Sequence, residues 1–357
     1  MTGVFDILSA DGFEQVAYCH DAPTGLRAIV AIHSTALGPA LGGTRFLPYS
    51  SEQDALVDVC RLARSMTYKH AVCGNDLGGG KAVIIGDPRI IKSEGLLRAY
   101  GRFVDGLNGR YLTAEDVGTN QADMDLVRRE TRHVTGVSES LGGSGDPSPA
   151  TATGVLWAMR AVAERLWGTP SLAGRHVCIA GVGKVGAALA AHLDAEGAKL
   201  TLSDVDEGAL AAVAERHDAL TVMPESAHAV PCDIFSPCAL GSVLNPATIP
   251  ELHCDAVVGC ANNQLASPAD AERLRHRNIV YVPDFVANAG GVINIAEEAN
   301  GYDRIRAQAR LETIHDTVLQ VFNKAETDGL TSTQAAERLA EERIAAVSRT
   351  KLIRTGR

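Results

Sequence analysis

A chain of 357 residues carries 43 acidic against 33 basic side chains, a net charge of −10, and lacks basic clusters, which argues against nucleic acid or an anionic membrane as a partner. With 46% hydrophobic and 21% charged residues it reads as globular, long enough for two domains with sizeable cores. No run of about 18 apolar residues marks a membrane span. The start, Met1-Thr2-Gly3-Val4-Phe5-Asp6, lacks the basic-then-apolar pattern of a signal peptide. Eight cysteines, none in Cys-x-x-Cys, read as reduced thiols of a cytoplasmic protein, with neither a disulfide frame nor a metal site expected.

Taken in order, residues 25–32 are apolar and β-branched and predict a strand. Gly38 to Arg45, with Gly42-Gly43 inside it, reads as a loop. From Ser51 to Lys69 the pattern turns helical, with Ser51 and Asp54 in a capping arrangement and Leu56, Val59, Cys60 and Ala63 at helical spacing. Asp76-Leu77-Gly78-Gly79-Gly80-Lys81 follows as a glycine loop feeding a buried strand at 82–86, with Lys81 at the strand's mouth. A helix near 92–107, a strand at 110–114 and a helix near 120–130 complete the first half.

Gly and Pro dominate Leu141 to Pro149, where the domain boundary is placed, giving a first domain over 1–145 and a second over 146–330. After a helix at 150–166, a strand at 176–180 runs into Gly181-Val182-Gly183-Lys184-Val185-Gly186, an Ala-rich helix to Glu196, and a strand at 199–204 ending in Asp204. Further strands are read at 219–223, 232–238, 255–260 and 279–283. This alternation predicts an α/β fold with a parallel, doubly wound sheet. Past Asn288 the chain is helical to its end, broken near Gly329; the segment 331–357 is taken as a C-terminal helix able to pack back on the first domain.

The stretch Gly181–Gly186 has the context of a dinucleotide-binding turn, since a strand precedes it, a helix follows, and an acid closes the next strand. Gly181 allows the tight turn, Gly183 lets backbone N–H groups meet a pyrophosphate, and Gly186 lets helix and strand pack closely. The helix N-terminus favours the phosphate charge. Asp204 would accept ribose hydroxyls and repel a 2′-phosphate, which favours NAD over NADP. A plain glycine turn between any strand and helix is the bland alternative.

Lys81, Lys69 and Asp116 supply what oxidation of an amino acid needs besides a hydride acceptor. A buried lysine near a second cation has a lowered pKa and can work as a base, and Lys81 has the better placement for it. Lys69, ending its helix, would hold the substrate carboxylate, and Asp116 would pass protons to and from the amino nitrogen. The alternative is that both lysines are solvated surface residues, as most lysines are. The 11 histidines are scattered without metal-ligand spacing.

Gly42-Gly43-Thr44-Arg45, Met66-Thr67-Tyr68-Lys69, Leu77-Gly78-Gly79-Gly80-Lys81, Asp116-Val117-Gly118-Thr119, Gly181-Val182-Gly183 and Asn288-Ala289-Gly290-Gly291-Val292 come in that order. In this the chain resembles the glutamate/leucine/phenylalanine/valine dehydrogenase superfamily over nearly its whole length, the bacterial valine and leucine dehydrogenases above all. The resemblance implies an N-terminal α/β substrate and oligomerisation domain, a Rossmann-type NAD domain, a cleft between them holding the active site, and a homo-oligomer. It implies that Lys81 activates water against an imine, that Lys69 and the Gly42-Gly43 backbone bind the α-carboxylate, and that Asp116 transfers protons. It also places Asn262 on the substrate or nicotinamide ribose, and Thr151, Cys238 and Ala239 along the nicotinamide end.

Glutamate members of that family carry a lysine before the paired glycines, where this chain has Leu41. Ala114, Val292 and Ile295 match other pocket positions and are apolar, so a second substrate carboxylate would be unpaired there. The implied reaction is NAD-dependent, reversible deamination of valine or leucine to the 2-oxo acid and ammonia. A phenylalanine-preferring relative and a non-catalytic NAD-binding regulatory protein are the alternatives; the presence of both lysines ranks the last lowest. Cys73, Cys238 and Cys260, near these positions, read as small buried apolar side chains.

Overall fold

The computed structural model describes residues 4–352, and these divide into two compact units. The first takes the chain to Asp146, Ile295–Arg304 and the described residues from Ala340 on; the second takes Pro147–Asn294 and Ile305–Leu339. The sequence boundaries leave out the return of Ile295–Arg304 to the first unit, and of the segment read from 331 as able to pack back there, the described residues from Ala340 on join it. Ala296 is buried with Leu41 and Leu77 and half-buried Ile295 packs on them, while Ala340 is buried with Leu37 and Ala71. Helical periodicity marks which face is buried but not which core receives it.

The first unit contains α1 (Val4–Asp11), β1 (Gln15–Asp21), β2 (Leu26–Ser34), β3 (Ala40–Leu47), α2 (Glu52–Val72), β4 (Gly78–Ile85), α3 (Pro88–Ile91), α4 (Glu94–Gly106), β5 (Tyr111–Glu115) and α5 (Gln121–Arg128). Its sheet runs β1-β2-β4-β3-β5, antiparallel at the β1 and β2 pairings and parallel from β4 to β5. Alternation sorts its side chains. Ala28, Val30, Ile32, Ala82 and Ile84 pack on Leu96, Tyr100 and Val104 of α4 and Met124 of α5. Ile29, Ala31 and Val83 face Ala55, Leu56, Val59, Cys60 and Ala63 of α2. Helix α2 starts as its sequence predicts, with the Asp54 N–H donating to Ser51 Oγ at 3.0 Å.

Two glycine segments differ from their sequence reading. The predicted loop 38–45 is largely β3, and the predicted loop Gly78–Gly80 lies inside β4, so Lys81 sits in mid-strand opposite Ala31. These glycines allow close approach, not turning. A methyl on Gly42 would lie 1.8 Å from the Gly80 carbonyl oxygen, one on Gly78 1.9 Å from that of Ser34, and one on Gly79 2.1 Å from the Thr67 backbone nitrogen of α2.

The second unit contains α6 (Ser148–Trp167), β6 (His176–Ala180), α7 (Lys184–Ala195), β7 (Lys199–Ser203), α8 (Glu207–Arg216), β8 (Leu220–Thr221), β9 (Ile234–Pro237), β10 (Ala256–Val257), α9 (Ala269–His276), β11 (Val280–Tyr281), α10 (Asp284–Ala287), most of α11 (Gly290–Ala296) and of α12 (Arg304–Asp328), and the first half of α13 (Ser332–Ser348). Its sheet is parallel throughout, in the order β11-β10-β9-β6-β7-β8. Strand β6 lies between β7 and β9, so the winding reverses at its carboxyl end, which is where ligands bind in such sheets. No helix among the described residues is long and apolar enough to cross a membrane.

Gly79→Ala is expected to destabilise the protein by more than about 3 kcal/mol, because the clash is with backbone. Gly95→Ala, at an exposed position of α4 with Thr24 Cγ2 at an ordinary 3.5 Å, is expected to be neutral or stabilising. Urea midpoints of the two variants check both.

Candidate active site

Lys81 is 8% exposed, and its Nζ lies 2.7 Å from Asp116 Oδ2. The strand pattern brings the two together. Lys81 shares the α2 face of β4 with Val83, and Asp116 follows Ala114 by two at the end of β5. Gly43 of β3, paired with Ala114, leaves the room: a methyl there would be 2.9 Å from Asp116 Cβ. The group touching the lysine is thus a carboxylate, where a second cation was expected from the sequence.

Asp116 is held from a second side. Arg45 Nε donates to its Oδ2 at 3.3 Å, Arg45 Nη1 donates to Asp58 Oδ2 at 3.0 Å, and the Tyr49 hydroxyl donates to the same Asp58 oxygen at 2.8 Å. Burial pushes the Asp116 carboxyl up, but the charges of Lys81 and Arg45 outweigh it and hold the group below the usual carboxylate range. Arg45, Asp58 and Tyr49 escaped the sequence reading because 38–45 was read as a loop; strand alternation from Gly43 points directly to Arg45.

Lys69 lies half-buried in the last turn of α2. The next residue, His70, is fully buried; it donates from Nε2 to the Leu41 carbonyl oxygen at 3.3 Å and accepts at Nδ1 from the Asn75 amide at 3.1 Å. Burial lowers its pKa to about 3, so it is neutral and ties the end of α2 to β3. Arg343 caps this corner with a bond to the Asn75 carbonyl oxygen at 2.7 Å. Gly42 and Gly43 lie beside Lys81 in β3, where the ladder to β4 pairs Leu41 with Gly79 and resumes only at Thr44 with Ala82. The Gly42 carbonyl oxygen accepts from the Tyr111 hydroxyl at 2.5 Å.

Leu41 and Ile295 fall in one apolar cluster with Leu77, Ala296, Met66 and Leu112, all four of these outside the sequence-based set. Ala114, 3% exposed, follows Leu112 by two on the same face of β5. Val292 belongs to the second unit.

In the second unit Gly181 turns at φ +113°, with Ala239 against it: a methyl on Gly181 would be 2.7 Å from Ala239 Cβ. A methyl on Gly186 would be 1.9 Å from the Gly181 carbonyl oxygen, whereas one on Gly183 would meet nothing within 4 Å. Gly183, at the N-cap of α7, therefore faces open space, which suits a pyrophosphate on the helix N-terminus beside Lys184 and Val185. Asp204 takes the Val182 N–H on Oδ2 at 2.7 Å and the Asp206 N–H on Oδ1 at 2.9 Å, and its four acceptor positions leave capacity for hydroxyls. Cys238 ends β9 beside this turn, its N–H on the Ala180 carbonyl oxygen at 2.8 Å. Exposed Asn262 receives the Asn288 amide at 2.8 Å. Thr151 lies in the first turn of α6, where a methyl on Gly291 would be 2.7 Å from its Oγ1. Among the described residues no cluster of three or more His, Cys, Asp or Glu side chains could hold a metal.

Two family models match the chain. Residues 14–133 match the Glu/Leu/Phe/Val dehydrogenase dimerisation domain, and residues 142–351 match the glutamate/leucine/phenylalanine/valine dehydrogenase model. A leucine dehydrogenase of Geobacillus stearothermophilus is 51% identical over 96% of this chain and 93% of its own length. A valine dehydrogenase of Streptomyces coelicolor is 52% identical over 94% of this chain and 93% of its own. The crystal structure of an L-tryptophan dehydrogenase from Nostoc punctiforme superposes with a TM-score of 0.87 at 42% identity, covering 97% of this chain and all of that one.

The buried neutral His70 has a measurable consequence. Below about pH 6.5 the unfolded chain binds a proton at His70 that the folded chain refuses until about pH 3. This contribution to stability is present above that range and is lost as pH falls through it. His70→Gln is expected to flatten the decline in unfolding free energy between pH 7 and pH 5, read from urea titrations of both proteins. An unchanged slope would mean that His70 is not held neutral.

Proposed function

We propose that this chain, which belongs to the glutamate/leucine/phenylalanine/valine dehydrogenase family, oxidises a branched-chain aliphatic L-amino acid to the 2-oxo acid and ammonia with NAD, reversibly. That it is an amino-acid dehydrogenase follows from relatives that are leucine and valine dehydrogenases at about half identity over nearly the whole chain. The finer reading is carried by one observation, the 2.7 Å contact between Lys81 Nζ and Asp116 Oδ2 in a largely buried setting.

When bound, the nicotinamide supplies a hydride acceptor; Gly181, Val182, Gly183, Lys184, Val185, Gly186 and Asp204 are the residues proposed to hold its dinucleotide. Thr151, Cys238, Ala239 and Asn262 are proposed to line the nicotinamide end. The remaining chemistry is proton handling. Lys69 and the Gly42-Gly43 backbone hold the substrate carboxylate. Lys81 Nζ first passes a proton to Asp116 Oδ2 across their contact; the amine so formed takes the proton of the water that adds to the imine, and Asp116 gives its proton to the leaving amino nitrogen and is again a carboxylate. Arg45 keeps Asp116 ionised and aimed. Leu41, Ala114 and Ile295, joined by Met66 and Leu112, receive an apolar side chain. The match to a dimerisation domain supports a homo-oligomer.

A panel of valine, leucine, isoleucine, phenylalanine, tryptophan and glutamate, each with NAD and NADP, tests the reading by reduced-cofactor formation at alkaline pH. Turnover of aliphatic substrates with NAD is expected. Preference for an aromatic substrate would favour a second reading, which the tryptophan-dehydrogenase likeness supports. Turnover of glutamate would overturn the pocket assignment.

Lys81→Ala is expected to lower kcat by about 10³-fold while cofactor binding persists; near-normal turnover would remove Lys81 from the mechanism. Arg45→Gln takes away one of the two charges that depress the Asp116 pKa. The acid limb of kcat/KM is therefore expected to move to higher pH, with Arg45→Lys in between. An acid limb that stays in place would show that Asp116 is not the group it reports.

A further inference from the structure

The second unit holds two cysteine pairs in one strand register. Parallel β9 and β10 place Ala256 opposite Ile234 and Val257 opposite Phe235. Carried outward, this register sets Cys254 beside Cys232 before the strands and Cys260 beside Cys238 after them. Contacts beyond the strands support it: the Cys232 N–H reaches the His253 carbonyl oxygen at 3.0 Å, and a methyl on Gly259 would lie 2.2 Å from the Pro237 carbonyl oxygen. Cys260 Sγ lies 3.7 Å from the Cys238 carbonyl oxygen, and Cys238 Sγ lies 3.4 Å from Ser236 Oγ. All four cysteines are free and half-buried.

The pairs differ in chemistry. Burial pushes the thiols of Cys232 and Cys254 up, the latter to about 12, which makes them inert fillers. At the other end the Cys260 thiol hydrogen-bonds Cys238; this outweighs burial, lowers the Cys238 thiol and raises that of Cys260. The reactive pair also abuts the glycine turn: a methyl on Gly186 would be 3.5 Å from Cys238 Cβ, and Ala239 packs on Gly181.

We propose that Cys238 and Cys260 form a modification site for hydroperoxides, which close the pair into a disulfide that small dithiols reopen, and that the closed form binds the dinucleotide weakly. The last clause rests on reading Gly181–Gly186 as the dinucleotide turn. In the first step the Cys238 thiolate attacks one peroxide oxygen, the O–O bond breaks and sulfenic acid forms, while the leaving oxygen takes the Cys260 proton and departs as water from hydrogen peroxide or as an alcohol from an organic hydroperoxide. In the second, Cys260 sulfur attacks the sulfenic sulfur, the S–O bond breaks, and water leaves as the S–S bond forms. Two thiols are oxidised by one peroxide. Neighbours on parallel strands stand about 4.8 Å apart, inside the range of about 4.4–6.8 Å that disulfides span. Closure ties Cys238 to Cys260 and so fixes the Cys238-Ala239 segment that packs against the turn.

The test uses the full chain treated with hydrogen peroxide, with free thiols counted in denaturant, peptides mapped, and NADH binding titrated by fluorescence before and after. Two of the eight thiols are expected to disappear. A Cys238–Cys260 linked peptide should form, NADH affinity should fall by about tenfold or more, and dithiothreitol should restore both. Cys260→Ser should lose the link and the affinity change, and Cys254→Ser should keep both. Absence of that linked peptide, or a link through another pair, overturns the proposal. The link with unchanged NADH affinity overturns its coupling to the cofactor. Reduced protein that never binds NADH refutes the dinucleotide reading itself, while the modification site still stands or falls by the peptide map.

Discussion

An ammonium taken out of water is tolerated only against an opposite charge held at contact, and the first unit is arranged to meet that condition at one point. Lys81 is fixed by a central strand, Asp116 by the end of another, and the strand between them carries glycine where a side chain would keep them apart. Arg45 then braces the carboxylate from the side, and Asp58 and Tyr49 brace Arg45. The pair is both a structural necessity and the place where a proton can pass between nitrogen and oxygen. Substitutions that disturb it have to be separated by pH dependence, because a loss of rate alone does not distinguish a broken support from a missing base.

Glycine does different work in the two units. Around β4 its absent side chain lets three strands and α2 approach at distances that no Cβ could share. Of the three glycines from Gly181 to Gly186 only Gly181 takes a positive φ, Gly186 meets the turn at close range, and Gly183 has nothing in front of it. A glycine that neither turns nor packs keeps a helix N-terminus open. That position, at the reversal of the strand order, is the physical argument for a phosphate-bearing ligand.

What the sequence made legible was local. Ser51 and the apolar spacing of α2 announced that helix, and the strand, turn, helix and acid from His176 to Asp204 announced the parallel unit, because caps, periodicity and turns are short-range signals. The paired and triple glycines misled, since glycine in a loop and glycine in a crowded strand look alike until the neighbouring strand is known. Arg45 and its partner Asp58 come together across 13 positions, and Asp116 lies 71 positions from Arg45, so only the folded sheet reveals the network. Lys69, Lys81 and Asp116 could be named because their residue types match a required chemistry; their supports could not, because support is a matter of register.

The charge arrangement also bears on which substrates fit. Lys81 and Arg45 both already rest on carboxylates, and the cluster around Leu41 consists of Leu77, Ala296, Met66, Leu112 and Ile295, none of which can offer a proton to an anion. An amino acid with an uncharged side chain asks nothing of that cluster except displacement of water. A second carboxylate would be desolvated there without a partner, at a cost of several kcal/mol, unless it took a cation from Asp116. Doing so would free the carboxyl from the charge that keeps it ionised. Under the proposed reading, an acidic substrate would therefore compete for the charge that keeps Asp116 ionised, and a cation introduced at Leu41 would remove that competition.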